Sequence, residues 1–217
     1  MGAFDKYKNN NTTRKEALRI AKNTAKKHID FISIEDGIDY KILDDFVRVM
    51  KKINIFIWCS KLQIFDIMKF FIEKLNDKEI YFEILTWNKT NPTPTTNNSW
   101  LPDIEYCLYF REKGVSYNSG YEIKSKFYIS PANKKDKDKF SHPTCKPVVF
   151  IKRHILHTTQ PNDIILDCFM GSGSTAVACK ETNRHYLGFE IDEKWCKVAN
   201  NRLNNQDDTG QFSMFTF

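Results

Sequence analysis

The chain has 217 residues and a net charge of +6, with 41% hydrophobic and 28% charged residues. That length supports one domain with a full core, and that balance excludes a disordered chain. The mild basicity permits a polyanionic partner without requiring one. No signal-peptide pattern and no membrane-spanning run is read in the sequence, so no membrane partner and a cytoplasmic location are expected. Cys59, Cys107, Cys145, Cys168, Cys179 and Cys196 form no CxxC pair, which suits reduced thiols. His142 and Cys145 stand three apart, but no second pair completes a metal site, and no metal is expected.

Residues 1–11 lack periodicity. Thr13 and Glu16 have capping-box spacing ahead of a helix. Leu18, Ala21 and Ala25 share one face of it; Arg14, Lys15, Arg19, Lys22, Lys26 and Lys27 crowd the rest, as a solvated surface or a DNA-backbone contact. Residues 42–52 read as an amphipathic helix, INIFIWC at 53–59 as a buried strand, and 64–75 as a helix with Phe65, Met68, Phe71, Ile72 and Leu75 inward. This alternation predicts an α/β sheet with helices on its faces. Strands follow at 81–87 and 104–110. The linker between them, NKTNPTPTTNNSWLPD, is too long for a hairpin turn, and a long polar loop in a compact domain is usually functional.

Between 111 and 141 the character shifts. Tyr117, Tyr121, Phe127 and Tyr128 interleave with lysines before the charge run NKKDKDKF. Aromatics among cations suit a nucleic-acid surface, whereas a charge run alone is usually solvated. A helix is expected at 148–157, opened by Pro147. A last amphipathic helix is expected at 193–203, then a polar linker and the apolar end QFSMFTF.

The chain is organised around residues 163–192, DIILDCFMGSGSTAVACKETNRHYLGFEID. An apolar strand at 164–166, expected to be buried on both faces, leads to Asp167. A glycine turn, Phe169-Met170-Gly171-Ser172-Gly173-Ser174, opens a helix at 175–180, and a second strand at 185–189 ends in Glu190 and Asp192. Glycines let the backbone bend and approach a ligand. The helix start offers unpaired N–H groups, and an acid about 20 residues past the first glycine can hold a ribose. The unit reads as a nucleoside-cofactor site. Gly171-x-Gly173-x-x-Ala176 also fits the loose dinucleotide fingerprint of an NAD site. Only about 25 residues follow Asp192, however, too few for the second half of a dinucleotide fold. Asp167 at the strand tip suits a ligand with an ammonium and a sulfonium, such as S-adenosylmethionine, better than a pyrophosphate.

The stretch DCFMGSGST resembles the D-x-F-x-G-x-G motif of the amino-DNA methyltransferases. His142-Pro143-Thr144-Cys145-Lys146-Pro147 is similar to that family's HPTxKP segment, and GFEID at 188–192 to its ribose-binding strand end. The order of these pieces is that of the β-type permutation. The resemblance runs from about residue 38 to 203 and implies a Rossmann-like methyltransferase fold: α/β, a mixed and mostly parallel sheet with helices on both faces, circularly permuted with the cofactor half C-terminal. It implies one domain over 1–203, with a catalytic, target-base half at 38–110, a short target-recognition insert at 111–141 and a cofactor half at 142–203, then a tail at 204–217.

The implied activity is methyl transfer from S-adenosylmethionine to the exocyclic amine of a flipped base in double-stranded DNA, with adenine favoured, in a restriction-modification setting of a bacterial or phage-infected cell. The implied cofactor residues are Asp167, Phe169, Gly171, Ser172, Gly173, Ser174, Glu190 and Asp192, with Thr144 and Lys146 bordering the same pocket. Asn91, Pro92 and Trp100 of the long loop would face the target base. The tail resembles a sliding-clamp peptide through Gln211, Met214 and Phe215; a tail folded onto its own domain is the alternative.

The family's catalytic [Asp/Asn/Ser]-Pro-Pro-aromatic motif is missing: no Pro-Pro occurs in the sequence, so no catalytic residue is assigned. In the β-type order that motif belongs before residue 38. Truncation of the N-terminus, by a late start, a frameshift or a split gene, is the favoured explanation, with the loss of a central strand; a separate chain supplying the motif is one form of it. A degenerate cofactor- or DNA-binding remnant is the alternative.

Overall fold

The computed structural model describes residues 39–75, 78–95, 99–115, 120, 124–140, 142 and 144–204. The elements are α1 (Ile42–Val49), β1 (Asn54–Cys59), α2 (Ile64–Lys69) running into a π-helical turn (Phe70–Lys74), β2 (Ile80–Lys89), β3 (Ile104–Glu112) and β4 (Phe127–Ser130). There follow α3 (Lys134–Phe140), α4 (Val148–Thr158), β5 (Ile164–Asp167), α5 (Ser174–Lys180), β6 (His185–Gly188) and α6 (Glu193–Asn204). The architecture is mixed α/β. Strands β1-β3-β2-β4 form one sheet, antiparallel at β1–β3 and β2–β3 and parallel at β2–β4. Strands β5 and β6 form a second, parallel pair.

The two-residue period of β3 sets the layers of the larger sheet. Leu108 and Phe110 point to one face, where they meet Leu43 of α1 and Ile67 and Phe71 around α2; Phe71 stacks on Phe110 at 4.2 Å. Cys107 and Tyr109 point to the other, with Leu85, Trp87, Tyr128 and Phe150 of α4. Helices therefore cover both faces. In the smaller unit, α5 is the crossover between parallel strands. Ala176, Val177, Ala178 and Cys179 are all buried there, and their small size lets the helix sit close to its neighbours. Gly188 belongs to the same packing: a Cβ there would lie 2.1 Å from Met170 Cε.

The two units meet through α4. His154 stacks on Phe56 of β1 at 4.2 Å, while Ile155 joins the α5–α6 core. The helix end is pinned from both sides. Asn54 Nδ2 donates to the Thr158 carbonyl (3.1 Å), and Arg184 donates to the Thr159 carbonyl (2.8 Å).

Several expectations are corrected. Strand β5 is not buried on both faces: Ile164 is 72% and Leu166 38% exposed, because among the described residues nothing covers that side. Phe65 and Ile72 face outward, at 72% and 49% exposure. Ile67 and Phe71, four residues apart on one helix face, take the inward positions against β3, which leaves Phe65 on the opposite face. Tyr128, read as a nucleic-acid contact, is buried against Phe150 at 4.6 Å. The charge run forms the short helix α3, with no buried residue. The expected helix at 12–27 and the tail residues Gln211, Met214 and Phe215 lie outside the described residues. No described helix is long and apolar enough to cross a membrane.

Phe110 is fully buried between Phe71 and Phe82, so Phe110→Ala should cost about 3–5 kcal/mol, seen as a lower urea midpoint.

Candidate active site

The glycine turn after β5 is held by the two acids at the strand tips. Asp167 accepts hydrogen bonds from the Phe169 backbone N–H (3.0 Å) and from the Thr175 hydroxyl. Glu190 spans the gap between strands: one carboxylate oxygen accepts from Gly171 N (2.7 Å), the other from Asp192 N (3.0 Å). Met170 N donates to the Phe189 carbonyl (3.0 Å), so backbone and side chain tie the turn to β6 together. Gly171 (φ +51°) and Gly173 (φ +80°) are left-handed, a conformation glycine adopts without a Cβ penalty. A Cβ on Gly173 would also meet the Ala199 Cβ of α6 at 3.0 Å, so that glycine sets the helix–turn approach.

Asp167 is electrostatically costly. Burial pushes its carboxyl above the usual range; the Thr175 and Phe169 hydrogen bonds oppose the shift and the nearby charge of Glu190 adds to it. The two acids thus feel each other and share one turn. Large apolar side chains stand open beside them, Phe169 at 59% and Ile191 at 90% exposure, and Phe169 meets Phe46 of α1 edge-on at 6.4 Å.

The remaining residues expected to hold a cofactor divide into groups. Ser172 and Ser174 are buried in a structural network. The Ser172 hydroxyl contacts Cys145 Sγ at 3.2 Å, the Ser174 hydroxyl donates to the Lys146 carbonyl at 2.9 Å, and Arg202 donates to both the Ser172 carbonyl and the Ser174 Oγ. Asp192 caps α6 through the Lys194 N–H (2.8 Å). His142, ahead of Thr144, covers the turn: a Cβ on Gly171 would lie 2.8 Å from its Nε2, and its ring meets Trp195 edge-on at 4.4 Å. Burial lowers the His142 pKa, and its Nδ1 accepts the Thr144 N–H at 3.3 Å, as a neutral ring would.

Lys146 leaves this cluster and reaches Glu105 on β3 at 2.6 Å. On the long loop, the Asn91 side chain accepts from the Ala132 N–H (2.6 Å), Pro92 is half-buried, and Trp100 is 97% exposed. The structure therefore brings Asp167, the glycine turn and Glu190 together, and sets Asn91 against the segment after β4. Thr175, Arg202, Glu105 and Lys89 went unnoticed in the sequence; Thr175 had the one usable signal, a hydroxyl one turn past the strand-tip acid. A depression of about 330 Å³ lined by Tyr81, Glu83, Tyr109 and Arg111 touches none of these acids.

A family model described as DNA methylase (N6_N4_Mtase) matches residues 7–201. The chain belongs to this DNA methylase family. It is 33% identical over 133 residues to the type II methyltransferase M2.LlaDCHI of Lactococcus lactis subsp. cremoris, covering 55% of this chain and 49% of that protein. It is also 33% identical over 138 residues to M2.DpnII of Streptococcus pneumoniae, with 58% and 52% covered. The chain thus spans about half the length of the curated relatives it matches. Among solved structures, the M1.HpyAVI–SAM complex is 30% identical with a TM-score of 0.61, covering 70% of this chain and 74% of that one. The cytosine-N4-specific PvuII DNA methyltransferase, 17% identical with a TM-score of 0.50 over 70% of this chain and 60% of that one, shares the fold. The methylase fold expected from the sequence is thereby shown.

A raised acid pKa means the folded state binds more protons than the unfolded one between the two pKa values, so stability falls as pH rises through that window. Asp167→Asn should therefore stabilise the free chain at neutral pH, and the gain should vanish as pH falls through the raised pKa to the ordinary one, measured by urea unfolding at several pH values.

Proposed function

We propose that this methylase-family chain binds S-adenosylmethionine at the glycine turn and belongs to an enzyme that methylates the exocyclic amine of a base, with adenine as the target, in double-stranded DNA. The observation that carries the reading is the pair of strand-tip acids, Asp167 and Glu190, fastened to one left-handed glycine turn. In this reading Asp167 faces the ammonium end of the cofactor, and Glu190 holds the ribose with lone pairs left over from its two backbone hydrogen bonds. Phe169, Gly171 and Gly173 shape the methionine side, and Ser172, Ser174 and Asp192 support it by fixing the turn and the start of α6. Thr144 and Lys146 border the pocket. The exposed apolar faces of Phe169 and Ile191 suit an adenine ring. The cofactor supplies an electrophilic methyl group.

Asn91, Pro92 and Trp100 form the target-base side in this proposal; the openly exposed Trp100 ring suits stacking on an extruded base. The 217 residues contain no Pro-Pro, which favours a second reading: cofactor and DNA binding without transfer by this chain alone, the motif being supplied by another polypeptide. The proposed setting is the cytoplasm of a bacterial or phage-infected cell. The apolar end, with Gln211, Met214 and Phe215, is proposed as a sliding-clamp peptide. Equal capture of intact and tail-deleted protein by purified clamp would remove that part.

Calorimetry should show S-adenosylmethionine binding, weakened about ten- to hundredfold by Glu190→Ala, as expected for loss of a charged hydrogen-bond acceptor. Binding of NAD without S-adenosylmethionine would reverse the reading. Transfer of a radiolabelled methyl group to mixed-sequence DNA would separate a working enzyme from a binding remnant.

A further inference from the structure

Where β3 begins near α3, two lysines pair with one acid and a third stands in their electrostatic field. Glu105 accepts Lys146 at 2.6 Å and Lys89 at 2.7 Å, and all three side chains are largely withdrawn from solvent, at 24%, 24% and 15% exposure. Lys137 of α3 is the third. Burial lowers its pKa; Glu105 opposes that, and repulsion by Lys89 and Lys146 adds to it, so the three ammonium groups share one field. Glu105 is itself raised by burial, yet the two lysines outweigh this and leave it lowered. The nearby acid of α3, Asp136, is turned to Arg202 and Asn133. Two tryptophans floor the cluster: Lys146 lies 5.4 Å over Trp58 and Lys89 5.3 Å over Trp87.

Three cations against one carboxylate leave two positive charges in a half-buried site. Withdrawing cations from water without counter-charge is costly, and indole faces offset only part of it. The missing component is an anion. Two of the elements supplying the lysines belong to the DNA side of the proposed function: Lys89 ends the strand that leads into the long polar loop, and Lys137 lies in the segment read as target recognition.

We infer that the Lys89–Lys137–Lys146 cluster, poised by Glu105, is a binding site for a single phosphodiester of the DNA strand. This rests on the DNA-methylation reading. Glu105 holds the ammonium groups in place and must share them with the phosphate, so it moderates affinity as it orders the site.

The test is a salt titration of full-length protein on short mixed-sequence duplex DNA, with S-adenosylmethionine affinity measured calorimetrically in parallel. Lys137→Gln and Lys89→Gln should each flatten the slope of log affinity against log salt by up to about 0.9, and the double variant by no more than that, the whole value of one phosphate contact, with cofactor affinity unchanged. Glu105→Gln should act in the opposite sense, tightening DNA binding several-fold. A cluster that serves only to hold the hairpin to α3 would weaken DNA binding in all three variants, and that result overturns the inference. Unchanged salt slopes with weakened cofactor binding in the lysine variants would assign the cluster to the cofactor's carboxylate and overturn it too. A wild-type chain without salt-dependent DNA binding would sink the DNA reading itself, whereas wild-type binding with unaltered variant slopes sinks only the phosphate site.

Discussion

Helix α4 faces two chemistries at once. Phe150 and His154 lie among the aromatic rings of the larger sheet, and Ile155 lies in the aliphatic core around α5. Among the described residues no ladder of hydrogen bonds joins β1 to β5, so the two sheets are related by side-chain contacts, chiefly packing along this helix and the polar pins at its end, with Phe46 on Phe169 and Lys146 on Glu105 beside them. Packing of that kind is short-ranged and intolerant of volume change. His154 illustrates the demand. It is buried between rings, and burial holds its pKa down to about 3, so it serves as a flat neutral ring and not as a proton carrier.

That joint fixes where the glycine turn sits, and the turn explains the cost its acids carry. A carboxylate at a strand tip, away from water, opposes folding unless hydrogen bonds or a cation compensate. Thr175 and the Phe169 amide compensate Asp167 only in part, since its pKa stays raised. Glu190 is held by two backbone donors, the amides of Gly171 and Asp192. In the proposed reading the raised Asp167 is the acid that faces a cationic ligand, while the backbone hydrogen bonds of Glu190 keep the turn in shape. Stability given up at Asp167 is recovered when a ligand with the opposite charge binds the folded state alone.

Much of this was legible in the sequence because the signals were local. The strand–turn–helix–strand order from Ile164 to Gly188 follows from an apolar run, two glycines, small helical residues and a second apolar run, all within thirty positions. Element edges shifted by a residue or two where capping is irregular: α5 begins at Ser174, directly after the left-handed Gly173. What was not legible depends on contacts distant in sequence. The outward turn of Phe65 follows from Ile67 and Phe71 meeting Leu108 and Phe110, a choice of helix face made by a strand about forty residues away. The open side of β5 is a property of what does not pack on it. The contacts of Arg202, 28 residues beyond Ser174, with the Ser172 carbonyl and the Ser174 hydroxyl could not be read from the glycine turn. Glu105 opens an apolar strand, and only the fold brings Lys89 and Lys146 to it from opposite directions in the chain.

The segment from His142 to Lys146 connects these two kinds of site over a very short distance in sequence. His142 lies over Gly171, so it senses the glycine turn. Cys145 is buried against Ser172 and accepts Asn133, on the approach to α3. Lys146 ends on Glu105, within the lysine cluster. His142, Cys145 and Lys146 thus touch the glycine turn, the start of α3 and Glu105 in succession, with Pro147 then preceding α4. Cys145, in the middle of that sequence, is buried. Occupation of the turn and occupation of the lysine cluster would therefore act on the same few residues. In the proposed reading, the two sites would thus be bordered by side chains only a few positions apart in sequence, His142 at one and Lys146 at the other.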